Sequence, residues 1–180
     1  MKMVCLIASS LLLTMMSAIQ VHAGELHDAA ENGDIVKVQQ LLEQGADVDA
    51  RNEFHDTPLY LARTADIAEL LIEKGADVNA GNKSQCRPLH AAVLGGNSGV
   101  AELLIEKGAD VNARDDVGQT PLHKAANYGT TDIAKLLIQK GADVNARDNA
   151  GQTLLHAATS RGTTDIAELL IEKGAAVNAR

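Results

Sequence analysis

The chain is 180 residues long, carries a formal charge of −8 and is only 2% aromatic, with Phe54, Tyr60 and Tyr128 as the whole set. An acidic chain without a basic run repels a phosphate backbone, which argues against nucleic acid or an anionic membrane surface as partner. A compact core of this size normally relies on large aromatic side chains, so here Leu, Ile, Val and Ala must do the burying, as suits thin stacked layers.

Residues 1–23 differ in kind from the rest. Lys2 is the only charge before Glu25, and it precedes a largely apolar run from Val4 to Ile19. Ser9, Ser10, Thr14 and Ser17 interrupt that run, so it makes a poor membrane span. Val21-His22-Ala23 then sets compact residues before a cleavage point at Gly24. This pattern predicts a cleaved secretory signal peptide over 1–23, an uncleaved anchor or a misplaced start codon being the other readings. The mature chain is then exported, periplasmic or secreted, with no membrane contact. Cleavage removes Lys2 and moves the formal charge from −8 to −9. It also removes Cys5 and leaves Cys86, which cannot form an internal disulfide and reads as an unpaired, unused surface thiol.

From Glu25 onward the chain repeats itself. Glu102–Ala113 (ELLIEKGADVNA) stands letter for letter at Glu69–Ala80, and returns as KLLIQKGADVNA from Lys135 and ELLIEKGAAVNA from Glu168. Gly75, Gly108, Gly141 and Gly174 are each 33 residues apart. A fixed period of this size predicts a stack of small units, here about 25–51, 52–81, 82–114, 115–147 and 148–180. In the fourth, Thr120-Pro121 reads as an N-cap and first helical residue, and Leu122, Ala125 and Ala126 form the packing face of a short helix that Gly129 ends. Thr131-Asp132 is expected to cap a second helix, with Ile133, Leu136 and Leu137 on one face and Lys140 at its negative end. Gly141 stops that helix, and Asp143–Asp148 returns extended into a turn at Gly151.

Thr-Pro-Leu-His at 120–123, the Ala-Ala pair, Gly129 and Gly-Ala-Asp-Val-Asn at 141–145 resemble the ankyrin repeat, and the resemblance runs from Glu25 to the C-terminus. It implies an all-α solenoid of helix–turn–helix units with short β-hairpin fingers, and protein–protein recognition through the fingers and the concave inner helices. Departures from the pattern are local. Unit one enters at Leu26-His27 without Thr-Pro, as an N-terminal cap would; unit two has Tyr60 for His and lacks three residues between its helices, Gly included. Unit three has Arg87 for Thr, and unit five has Leu154 for Pro. The sequence reaches Arg180 without a polar closing helix, which points to a fragment of a longer product or to an end covered by a partner or by a second copy through self-association.

Little catalytic chemistry is legible. His90, His123 and His156 recur at the repeat period, too far apart to share one zinc ion, whose ligands lie within ~2 Å; the resemblance assigns this His to ties between neighbouring units. Cys-x-x-Cys, His-Glu-x-x-His and Gly-x-Ser-x-Gly are all missing. Gly81-Asn82-Lys83-Ser84 lacks the adjacent Gly-Lys of a phosphate loop, and Asn82-Lys83-Ser84 is a glycosylation sequon relevant only in a eukaryotic secretory cell. The reading is therefore no enzyme and no cofactor, metal or otherwise, with an unidentified protein as partner. Function should lie where near-identical units differ: Phe54, His55, Asp56, Lys83, Ser84, Asp116, Val117 and Asn149 on the fingers, Tyr128 and Arg161 on the first helices. Aromatic residues and Arg are the usual binding anchors, which puts Phe54, Tyr128 and Arg161 first.

Overall fold

The computed structural model describes residues 24–177. The expected signal segment 1–23, with Cys5 and His22, lies outside the described residues, as do residues 178–180. Among the described residues ten helices follow one another: α1 (24–32), α2 (Ile35–Glu43), α3 (Pro58–Leu61), α4 (Ala65–Glu73), α5 (Pro88–Leu94), α6 (Ser98–Glu106), α7 (Pro121–Tyr128), α8 (Thr131–Gln139), α9 (Leu154–Arg161) and α10 (Thr164–Glu172). From α3 on, each odd-numbered helix packs on the next even one; the odd helices stack on one another, and so do the even ones. The all-α solenoid is thus present, with an inner row of odd helices and an outer row of even ones. None of the described helices is long and apolar enough to cross a membrane.

Local sequence explains each unit. Thr120 Oγ1 accepts from His123 N–H, and Thr120 N–H donates to His123 Nδ1 at 3.2 Å, so the fourth inner helix starts with both donors satisfied. Each outer helix ends on a glycine in left-handed geometry, from Gly45 (φ 87°) to Gly174 (φ 89°). The following Ala then donates back across the turn, as Ala142 N–H does to Leu137 O at 2.9 Å. Leu71, Leu104, Leu137 and Leu170 recur at the repeat period and are each 0% exposed. Burying one such side chain stabilises by about 1.5–3 kcal/mol, so every unit contributes the same apolar layer.

Three expectations need correction. The N-cap of α8 is Thr130, not Thr131-Asp132, and Thr130 makes no side-chain cap bond. Leu136 is only partly buried; Ile133, Ala134 and Leu137 are the buried residues of α8, because its face meets a neighbour on each side. The fingers are not strand hairpins. A single isolated bridge, Arg147 with Thr153, is the only β pairing among the described residues. Each finger is closed by a backbone bond across its turn, as from Asn52 N–H to Asp56 O at 3.1 Å, and further backbone groups pair with Asn or Asp side chains and with the next finger.

Unit two shows where its missing residues come from. The loss falls on the inner helix itself: α3 is four residues long where α7 is eight. The chain leaves α3 at Ala62 (φ −59°, ψ 120°), and Arg63 supplies replacement bonds to both neighbours. Its N–H donates to Ala30 O at 3.4 Å, and its carbonyl accepts from Asn97 Nδ2. Thr64 then caps α4 by accepting from Ile67 N–H at 3.3 Å.

Candidate functional site

Two surfaces hold the residues that distinguish one unit from another: the row of finger tips and the exposed edge of the inner helices. Each tip is built on one side chain. Asn52 Oδ1 accepts from Phe54 and Asp56 N–H, Asn82 Oδ1 from Ser84 and Cys86, Asp115 Oδ1 from Val117 and Gln119, and Asp148 Oδ1 from Ala150 and Gln152. Successive tips are joined backbone to backbone. Lys83 N–H donates to Phe54 O at 3.1 Å, Asp116 N–H to Ser84 O at 2.9 Å, and Asn149 N–H to Val117 O at 3.0 Å. The tips therefore form a pinned row whose backbones are used internally while their side chains remain outward.

Of the residues singled out from sequence, Phe54 is 63% exposed, Tyr128 62% and Val117 52%. His55, Lys83, Ser84, Asp116, Asn149 and Arg161 are exposed as well. Asp56 is not. It is buried, its Oδ1 accepts from Asn82 Nδ2 at 2.7 Å, and its carbonyl faces His27 Nε2 at 2.9 Å. It joins units one, two and three and presents no carboxylate to a partner. The same 2.7 Å bond engages the side-chain amide nitrogen of the Asn82 sequon.

The tips differ in strain. The third position after the Asn or Asp lies in the left-handed region in all four, at Gly118 (φ 79°) and Gly151 (φ 77°), but at His55 (φ 62°) and Gln85 (φ 57°) in the first two. A side chain there costs roughly 1–2 kcal/mol.

His27 and His90 are joints between neighbouring units. His90 Nδ1 accepts from Arg87 N–H, which leaves Nε2 to donate to Gln119 O of the next finger at 3.2 Å. His27 reaches Asp56 O in the same manner. His123 Nε2 is directed at Gln152 O but falls short of hydrogen-bond geometry. Burial pushes the pKa of His90 and His123 down, against the opposing pull of those carbonyls. Tyr60 stands in the same column; burial first, then the nearby Cys86 and Asp56, pushes its hydroxyl up to about 12, while a bond to Asn82 opposes. His156, last in the column, is exposed.

Cys86 is half-buried and not the surface thiol expected, with Sγ 4.0 Å from Asp115 Oδ2. Burial raises its pKa, and Lys124 opposes. Lys124 Nζ is 2.7 Å from Asp115 Oδ2 and 2.9 Å from Gln119 Oε1, so this cluster ties finger to inner helix. Among the described residues no group of three or more His, Cys, Asp or Glu side chains could hold a metal ion.

The inner face also carries clefts that sequence reasoning missed. One of about 290 Å³ lies where α3 stops short, floored by Leu61, Ala62, Ala91 and Leu94 with Tyr60, Arg63 and Asn97 around it. A second, of about 420 Å³, adjoins it through Leu61 and is bounded by Asp28 and Glu31 of α1 and by Glu53 and Phe54 of the first tip. The three-residue deletion was the available signal: a helix shortened between two full-length neighbours must leave their flanks uncovered.

Stacked, capped helix pairs with a pinned row of tips define a repeat solenoid, a class that offers one extended surface assembled from many small units. The family model "Ankyrin repeats (3 copies)" matches residues 26–115 and again 113–180, and the chain belongs to the ankyrin-repeat family. Members of this family generally mediate protein–protein interaction. No curated protein matches the chain at a significant level.

Proposed function

We propose that this protein is a non-catalytic scaffold that binds another protein across its finger tips and inner helices. It is exported by residues 1–23 and works in the periplasm or outside the cell. One observation carries the binding surface: the Leu and Ala residues shared by the units, such as Leu71, Leu104, Leu137 and Leu170, are buried in the stack, whereas Phe54 and Tyr128, each particular to its own unit, are more than 60% exposed. The repeated apolar residues serve stacking, and these two aromatic residues are left outward. Export rests on the apolar run before Val21-His22-Ala23. A native protein whose mass still includes Met1 would overturn it.

The test of binding starts with a pull-down by the mature chain from periplasm and from candidate host lysate. Phe54→Ala and Tyr128→Ala should then each weaken the captured partner by about thirtyfold, the equivalent of ~2 kcal/mol for an aromatic anchor, without lowering the melting temperature. Normal binding by both folded variants would refute the assignment.

The second reading is self-association. At the C-terminal end of the described stack, Ile171 (49%) and Val177 (66%) are exposed beside His156, around a cleft of about 200 Å³. Sedimentation decides this one, since a monomer at micromolar concentration removes it.

A further inference from the structure

The cleft left by the short α3 combines an apolar floor with neighbouring carboxylates. At about 290 Å³ it falls just under the ~300–1,000 Å³ of small-molecule sites, so it suits one inserted side chain better than a cofactor. Its floor is Leu61, Ala91 and Leu94, and it continues past Leu61 toward Phe54. In unit four the corresponding stretch is filled by the last turn of α7, which ends at Tyr128.

Three carboxylates and two guanidinium groups line this trough. Glu31 is matched by Arg63 at 3.1 Å, and Arg51, although exposed, has Nη1 donating to His55 O and Gly81 O. Asp28 and Glu53 border the same trough, are exposed, and take part in none of the ion pairs among the described residues. An apolar floor beside two unmatched carboxylates complements an apolar side chain flanked by cations.

We infer that the gap over α3 is a recognition pocket for a protein segment that inserts one Leu or Phe side chain between Leu61 and Leu94 and sets a flanking Arg or Lys against Asp28 and Glu53. The inference rests on the scaffold reading and names the chemistry of the segment that such a scaffold would take. The three-residue deletion is then what creates specificity, because it opens space that a regular repeat would fill.

The full chain should be tested against an array of synthetic peptides that carry a central Leu, Phe or Ala flanked by Arg, Ser or Glu. Binding is expected to concentrate in the Leu and Phe peptides with Arg flanks, at about tenfold or more over the Ala-centred and Glu-flanked ones. Gly95 has ordinary helical angles (φ −77°, ψ −4°), and a Cβ there would meet only Ala91 O at 3.4 Å and Ala92 O at 3.9 Å. Gly95→Tyr therefore places in the gap the side chain that unit four carries as Tyr128, and it should remove the Leu and Phe preference while the protein stays folded by circular dichroism. Asp28→Asn with Glu53→Gln should remove the Arg preference and keep the Leu preference, and Lys135→Ala on the outer face should change neither. No preference in the array, or a preference that survives Gly95→Tyr, overturns the pocket. If Tyr128→Ala abolishes peptide binding and Gly95→Tyr does not, the pocket is wrong and the inner-face scaffold still stands; if no protein partner is ever captured, the scaffold reading fails on its own test.

Discussion

Units two and three differ from units four and five in the same few places, although the buried layer is common to both. In units four and five the finger tips turn on Gly118 and Gly151, and the inner helices run eight residues. In units two and three the tips turn on His55 and Gln85, and the inner helices run four and seven residues. The joint residue between them is Tyr60 in place of His. The outer helices change hardly at all, and their Leu71 and Leu137 are equally buried. The regular half is built for stacking; the irregular half gives up local optimality and gains an open trough. Strained, non-repeating geometry in an otherwise uniform array is where specific function is expected to concentrate.

The comparison can be broken most directly in the core. Leu71→Ala and Leu137→Ala should each cost about 2–5 kcal/mol, read by denaturant melts. If the shortened α3 makes unit two the weaker layer, hydrogen exchange should be faster over Ala62–Asp66 than over Ala125–Asp132, and Leu71→Ala should open its own unit first. Equal exchange in the two stretches would mean that the bonds made by Arg63 fully offset the lost helical turn.

Asn97 and Thr130 hold the same position one unit apart and sharpen the contrast. Asn97 accepts from Val100 N–H at 3.2 Å and also donates to Arg63 O, whereas Thr130 Oγ1 is buried without a partner. Asn97→Ala should cost roughly 1–2 kcal/mol, as the loss of a cap does, and Thr130→Ala much less. Similar losses in thermal melts would show that the bonds around Arg63 add nothing.

Smaller effects are expected at the tips. His55→Gly or Gln85→Gly should relieve left-handed strain and stabilise by about 1 kcal/mol. Gly151→Ala should destabilise by a similar amount through φ alone, since a Cβ there meets nothing within 4 Å. Unchanged melting temperatures in all three would remove strain as a difference between the halves.

Acid should distinguish the joints least of all. Burial holds the folded pKa of His90 and His123 below the ordinary 6.5, so just under that value the unfolded chain binds more protons than the folded one. Their stabilising contribution is full above about pH 6.5 and is lost as the pH falls toward the folded values. Tyr60 does not titrate there, so between pH 7.5 and 5 protection from exchange, taken relative to the intrinsic rate at each pH, should fall at the joints after units three and four more than at the joint after unit two. The reverse order would show that other groups govern acid sensitivity.

The Thr-Pro starts, glycine stops and Leu periodicity made the solenoid legible in the sequence, because capping, left-handed turns and apolar spacing are local rules that act within a few residues. Exposure at Phe54, Val117 and Tyr128 was legible for a related reason: positions that vary among identical layers are not needed by the layers. What sequence could not settle was where a side chain ends up between units. Asp56 looked like a variable tip residue, yet it is buried because His27 and Asn82 converge on it from units before and after its own. The deletion was visible as a count of residues, but whether it shortened a connection or a helix depended on the neighbours. Leu71 must stay in the common layer, so the chain kept α4 in register and gave up the end of α3, and the trough over Leu61 follows from that packing constraint and from no single residue.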